Sequence, residues 1–233
     1  MIESLIPAVS SYAREIDHLI TEVAIIVGVW LVAAEALFFY FIIKYRAREG
    51  HRADYISGDE PRMRRWLVGP VLLVLVCDLF LIVGALKTWS HIKIDLPPAD
   101  VVVKVIAQQW AWTFILPGAD GKLDTADDIV TVDELHVEVG KTYHFQLESR
   151  DVVHCFSVPV FRLKQDAIPG RTITGWFRAI STGTYDIQCA EICGIGHGVM
   201  AARIVIDSAP QHAAWINGSS IRNMPTAMLQ AGQ

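Results

Sequence analysis

Cys189-Ala-Glu-Ile-Cys193-Gly-Ile-Gly-His197-Gly-Val-Met200 joins two short runs, Thr184–Gln188 and Ala201–Ile206, whose Val, Ile, Thr and Tyr content reads as β-strand. The thiol of Cys189 is followed by a second thiol after four residues, an imidazole after four more and a thioether after three more. Gly194, Gly196 and Gly198 let the backbone wrap closely around one centre. A further imidazole, His154, lies in another strand-like run, Val153–Val158. Thiolate, thioether and imidazole are soft-to-borderline ligands and favour copper. Three rival readings stand beside it. A structural zinc site can use Cys189, Cys193, His197 and His154, and leaves Met200 unused. A single blue-copper centre leaves one thiol surplus. A Cys189–Cys193 disulfide suits an oxidising compartment and leaves both histidines unexplained. Two coppers bridged by both sulfurs use the whole set.

Outward from this loop the texture stays the same. Val101–Ile106, Ile129–Val139, Thr142–Leu147, Val153–Val158 and Thr172–Phe177 are short, rich in β-branched and aromatic residues, and separated by turn signals such as Gly140-Lys141 and Ser181-Thr182-Gly183. With the two runs flanking the loop they make about seven strands over residues 101–207, the pattern of a β-sandwich or barrel. A linker, 90–100, precedes them and contains Pro97-Pro98; a tail, 208–233, follows with a short helix expected over Ala209–Ile216.

The amino-terminal third is different. Hydrophobic residues make up 52% of the chain, and the excess is concentrated in Val23–Ile43 and Trp66–Leu86. Each run is 21 residues long, enough at about 1.5 Å per residue to cross a hydrocarbon core about 30 Å thick. Transmembrane helices are therefore expected over 23–43 and 66–89, with Trp66 and Trp89 as interface anchors. Segment 1–22 has no basic start and carries Glu3, Glu15, Asp17 and Glu22 against Arg14, so the first span reads as retained rather than as a cleaved signal. Lys44, Arg46, Arg48, Arg52, Arg62, Arg64 and Arg65 all fall in the loop 44–65, which places that loop on the cytoplasmic side and both termini outside. The part from Ile94 to Asp207 holds 15 acidic and 9 basic residues. That balance disfavours nucleic acid and suits a basic protein partner. Glu35 and Asp78 lie inside the spans; each reads equally as a polar contact to a partner helix or as part of a proton path.

The loop resembles the binuclear copper (CuA) loop of cytochrome c oxidase subunit II. The likeness extends to two spans, a basic inner loop, a linker and an all-β domain. Asp151-Val-Val-His154-Cys-Phe-Ser-Val-Pro159 with Lys164-Gln-Asp166-Ala-Ile-Pro169-Gly170-Arg171 is similar to the strand of the family that carries its first ligand, and Gln108-Gln109-Trp110-Ala111-Trp112 to its aromatic strand. The resemblance implies two N-terminal transmembrane helices followed by an all-β cupredoxin-like Greek-key barrel. It implies that Cys189 and Cys193 bridge two coppers, that His154 and His197 cap one each, and that Met200 and the Glu191 carbonyl are weak ligands. It implies that the Glu191 side chain shares a Mg²⁺ or Mn²⁺ with subunit I, and that Trp110 receives electrons from cytochrome c or a similar donor. The partners so implied are subunit I, further oxidase subunits, the donor and membrane lipid, in a proton-translocating oxidase. The place implied is a bacterial inner or mitochondrial inner membrane, with the copper domain on the periplasmic or intermembrane-space side. The chain alone has no haem site, so O₂ reduction belongs to the complex. It departs from the family pattern at Cys155, at Ala111, and at Arg62-Met-Arg64-Arg65-Trp66, where the family commonly has a Glu. Asp120, Asp124, Asp127 and Asp128 form an acidic run that reads as a solvated loop or as a donor-docking patch. A membrane-tethered copper carrier or metallochaperone, and the electron-input subunit of a nitric-oxide reductase, are the alternatives.

Overall fold

The computed structural model describes residues 5–52, 55 and 57–223; the outer limits of the expected first and last segments, and residues 53, 54 and 56 of the loop, lie outside them. The chain divides into two units, residues 15–90 and residues 1–14 with 91–233.

The first unit is helical. Helix α1, Ala13–Lys44, starts well before the apolar run and takes in Arg14, Glu15, Asp17, His18 and Glu22. Helix α2, Pro61–Trp89, starts on a proline, whose missing N–H is no loss in a first turn, and tolerates Pro70 inside. Both helices are long and apolar enough to cross a membrane, and their apolar windows bury nothing within the chain. Such faces need lipid or partner helices around them. The two approach closely at Gly84, where an added Cβ would lie 3.4 Å from Leu19 Cδ1. Glu35 and Asp78 are both exposed.

The second unit is a sandwich of two five-stranded sheets. Its strands are β1 Val101–Gln108, β2 Ala111–Leu116, β3 Ile129–Val132, β4 Glu134–Glu138, β5 Thr142–Ser149, β6 His154–Val158, β7 Leu163–Ala167, β8 Ile173–Arg178, β9 Gly183–Cys189 and β10 Ala201–Asp207. One sheet runs β3-β2-β1-β5-β8 and the other β4-β10-β9-β6-β7, with β1/β5 and β4/β10 parallel. Alternation puts Trp112, Phe114 and Leu116 of β2 inward, and Phe145, Leu147, Phe156, Phe177 and Ile187 meet them in the core. Phe156 stands at the centre, 5.5–6.4 Å from the rings of Trp112, Phe114 and Phe145.

The structure adds detail to the sequence reading at several points. The run Ile129–Val139 is two strands in opposite sheets, because Asp133 turns the chain with φ of 56°. Its carboxylate accepts from the Trp112 N–H and its carbonyl from the Arg203 N–H, so the corner is pinned from both sheets. Leu163–Ala167, absent from the strands expected from the sequence, is edge strand β7 on β6. The carboxy-terminal helix α3, Ala209–Asn223, is longer than Ala209–Ile216. Helix α1 takes in the second half of the expected segment 1–22, and the first described part of that segment packs into the β domain. Val9 donates to Val160 O and accepts from Ile180 N–H, Ser11 N–H donates to Arg178 O, and the Tyr12 hydroxyl donates to Trp176 O. Val9 and Tyr12 are buried, and burial pushes the Tyr12 phenol up.

Candidate metal centre

Antiparallel pairing of β9 with β10 places Gln188 opposite Ala201, and the Cys189 N–H then donates to Met200 O. The two ends of the quoted loop are therefore fixed side by side. Within the loop, bonds from His197 N–H to Gly194 O and from Val199 and Met200 N–H to Gly196 O curl the chain so that its ligands face inward. Strand β6 adds His154 from the neighbouring position, because Phe156 pairs with Cys189 and the Ala190 N–H donates to Cys155 O.

The side chains form a row. His154 Nδ1 lies 3.9 Å from Cys189 Sγ, Cys189 Sγ 3.7 Å from Cys193 Sγ, and Cys193 Sγ 3.7 Å from His197 Nδ1. Met200 Sδ is 3.8 Å from Cys193 Sγ and the Glu191 carbonyl oxygen 3.3 Å from Cys189 Sγ. The thiols are not joined as a disulfide. His154, Cys189 and Cys193 offer ligand atoms all within 4.8 Å of one another. His154 is fully buried, and burial together with the neighbouring thiol pushes the Cys193 thiol up to about 11. The donor set fits copper: two thiols at the centre, one imidazole on each flank, and a thioether and a carbonyl as weaker outer donors. A zinc reading leaves Met200 without a role although its sulfur is buried against Cys193.

Trp110, at the turn between β1 and β2, lies on this loop. Its indole Nε1–H donates to Cys193 O at 3.2 Å, and an added Cβ on Gly196 would come within 2.3 Å of the indole ring. Glycine at 196 is what lets the ring rest on the loop backbone. Trp110 as a residue remains 38% exposed while its indole contacts the loop.

Two residues that the ligand pattern does not single out belong to the same network. Gln109 Nε2–H donates to Cys193 O at 2.8 Å. Asp151 accepts from His154 Nε2, from Gln109 N–H and from Val152 N–H, each at 2.7–2.8 Å. Partial burial works against its charge, but these bonds outweigh it and hold the carboxyl below the usual range. The D-x-x-H spacing from Asp151 to His154 was the available signal.

Other residues do not join. The acidic run lies in the β2–β3 loop, at the end of β2 remote from Trp110. Six residues of strand separate them, roughly 20 Å. Its carboxylates are engaged locally: Asp127 with Asp120 N–H and the Thr125 hydroxyl, Asp128 with Asp124 N–H, Asp120 with Lys122 N–H, and Asp124 with Lys104 at 2.5 Å. Cys155 is buried beside Asp166, and burial first, then that carboxylate, push its thiol up to about 12. His136 and His212 are less ordinary than their spacing suggests, since both approach Asp207 and stack with Trp215 of α3.

The chain is similar to known proteins. Residues 101–209 match the family described as cytochrome c oxidase subunit II, periplasmic domain. The chain is 32% identical over 224 residues to the alternative cytochrome c oxidase subunit 2 of Bradyrhizobium diazoefficiens, covering 86% of this chain and 79% of that protein. It is 31% identical to cytochrome c oxidase subunit 2 of Thermostichus vulcanus, over 75% of this chain and 66% of that one. Among solved structures, the periplasmic domain of subunit II of the Bradyrhizobium japonicum cytochrome oxidase is similar at 29% identity and a TM-score of 0.49, covering 55% of this chain and 98% of that one. By its sequence from the spans to the copper loop, the chain is a membrane-anchored protein with a cupredoxin-like domain and belongs to the cytochrome c oxidase subunit II family.

Proposed function

We propose that this chain is the electron-input subunit of a haem–copper terminal oxidase, taking electrons from cytochrome c or a similar donor and passing them to haem in subunit I, where O₂ is reduced. The observation that carries the reading is the row His154 Nδ1, Cys189 Sγ, Cys193 Sγ, His197 Nδ1, at successive spacings of 3.9, 3.7 and 3.7 Å. Cys189 and Cys193 would bridge two coppers, His154 and His197 would cap one each, and Met200 and the Glu191 carbonyl would be weak outer ligands. Two coppers so held supply one-electron uptake and release shared over both nuclei.

The protein's own part is positional. The β9–β10 hairpin holds the thiols in one arrangement, so little rearrangement accompanies electron transfer. Burial of His154 and Cys193 keeps water from the centre. Trp110, partly exposed, would receive electrons from the donor, and its indole donates to the Cys193 carbonyl. Ile192, Ile195 and Val199 of the same loop are 82%, 97% and 80% exposed, apolar surface of the kind that meets a partner. The Glu191 side chain, also exposed, would share a Mg²⁺ or Mn²⁺ with subunit I. Asp120, Asp124, Asp127 and Asp128 enter as a distant steering field and not as a contact patch.

The membrane part completes the reading. We place loop 44–65 on the cytoplasmic or matrix side and the copper domain outside, in a bacterial or mitochondrial inner membrane. Seven basic residues in the loop support this. So does the docking of residues 9–12 on the β domain, which keeps the segment before the first span with the domain that follows the second. Metal analysis and paramagnetic resonance of the purified complex test the centre. Two coppers per chain sharing one unpaired electron are expected; one zinc, or one copper with a simple blue spectrum, would refute it. For topology, a cysteine placed at Ser57 is expected to resist impermeant reagents from outside.

A further inference from the structure

We propose that Asp151 is a positioning residue that sets the copper ligand His154 and the electron-receiving strand with a single carboxylate; this rests on the copper reading above. Oδ1 of Asp151 lies 2.8 Å from His154 Nε2 and accepts from Val152 N–H at 2.7 Å. Oδ2 accepts from Gln109 N–H at 2.7 Å. A carboxylate only accepts, so His154 carries its proton on Nε2 and turns the Nδ1 lone pair toward Cys189 Sγ, 3.9 Å away. The ring is fully buried, and the Trp112 indole stands edge-on to it at 6.3 Å. The tautomer and the ring direction are thus both fixed before metal arrives.

The other oxygen works on a different element. Gln109 is held by its backbone N–H, while its side-chain amide and the Trp110 indole converge on one atom, Cys193 O, at 2.8 and 3.2 Å. Asp151 therefore ties the strand that bears Trp110 to the first imidazole ligand, and that strand in turn holds the backbone of the second thiol. A negative charge on the outer nitrogen of His154 increases electron donation by the ring and favours the oxidised centre. Removing it favours the reduced centre and loosens Trp110 over the loop.

Two variants of the full-length chain in its complex test this. Asp151→Asn keeps the size, removes the charge, and sets an amide N–H against Gln109 N–H; Asp151→Ala removes every bond. Outer partners of metal ligands change affinity or activity by 10–100-fold when removed. We expect a shift of about tenfold in the electron-transfer equilibrium, a rise of about 59 mV in the midpoint potential for one electron. Electron input within the bound donor complex slows as well, and its salt dependence stays unchanged. The metal-free wild-type chain, studied by nitrogen-15 resonance of its histidines, is expected to show His154 protonated on Nε2; protonation on Nδ1 would overturn the proposal even if neither variant folds. Variants that leave the potential and the spectrum intact and alter only the salt dependence of donor binding would make Asp151 a docking charge, and the positioning role would be wrong. Absence of two coppers from the wild-type complex would instead refute the copper reading, while the tautomer measurement would still decide the contact between Asp151 and His154.

Discussion

Two loops of the β domain carry most of its chemistry-bearing residues, and they use them in opposite ways. In the loop after β9, the side chains of Cys189, Cys193, His197 and Met200 point at one another and at His154, which is 35 residues away in sequence. In the loop after β2, the carboxylates of Asp120, Asp127 and Asp128 turn back onto N–H groups a few residues away. The first arrangement buries Cys193 and His154 and turns the two thiols and His154 Nδ1 toward one another, which is unfavourable until a metal joins them. The second replaces water by local hydrogen bonds and is a stable way to build a turn. Residue type alone does not separate a site from a turn; the direction in which the polar groups are satisfied does.

The contrast is most open to attack at the thiols. Cys193→Ser is expected to abolish the shared-electron spectrum and at least half of the bound copper, and Cys189→Ser to do the same, since each sulfur serves both nuclei in the proposed centre. Retention of two coppers with an unaltered spectrum would break the comparison at its stronger side. Gly196→Ala comes next. The new methyl meets the Trp110 ring at 2.3 Å, and a buried overlap of this kind typically costs about 1–3 kcal/mol or moves the ring. Copper content should survive while electron input falls by about 10- to 100-fold, the range seen when a supporting contact of a metal site is lost. Stopped-flow reduction by the donor, with parallel copper analysis, measures both.

The acidic loop gives a smaller effect of another kind. Neutralising Asp124, Asp127 and Asp128 together removes bonds that build the turn, so thermal stability should fall slightly. The donor on-rate should drop by less than about twofold at physiological salt, where screening over about 8 Å is short against the distance to Trp110. A tenfold loss of on-rate with a flattened salt slope would show that this loop touches the donor after all.

The smallest expected change concerns α3, away from both loops. His212 is buried, and its Nδ1 stands 3.8 Å from Asp207, beyond hydrogen-bond reach. Burial lowers its pKa against the opposing pull of Asp207 and Glu138, with His136 adding to the lowering. A lowered histidine pKa means the docked helix holds the neutral ring. That contribution is complete above the ordinary value of 6.5 and is lost as pH falls through the lower folded-state value. Acidification below 6.5 should loosen α3, read as a change in Trp215 fluorescence, and His212→Phe should flatten that part of the profile.

The sequence by itself determined what is local and periodic. Two long apolar runs, each with a single acidic residue, specify spans, because helices of that length satisfy their backbone inside a bilayer. A twelve-residue stretch with thiols, imidazole and thioether at fixed spacing specifies a metal loop, because the ligands come with their own turn. Alternation specified most strands, but it could not show that Asp133 divides 129–138 between two sheets, since a corner is decided by what both sheets hydrogen-bond to it. The sequence singled out His154, but only the tertiary structure shows how it comes within 3.9 Å of Cys189, through strand pairing rather than chain proximity. The same holds for Asp151, whose three acceptor bonds span 42 residues, and for Val9 and Tyr12, whose burial depends on strands more than 150 residues later. It also separated the acidic run from Trp110. The two are neighbours along the chain, yet β2, fully extended between them, carries them to opposite ends of the sheet.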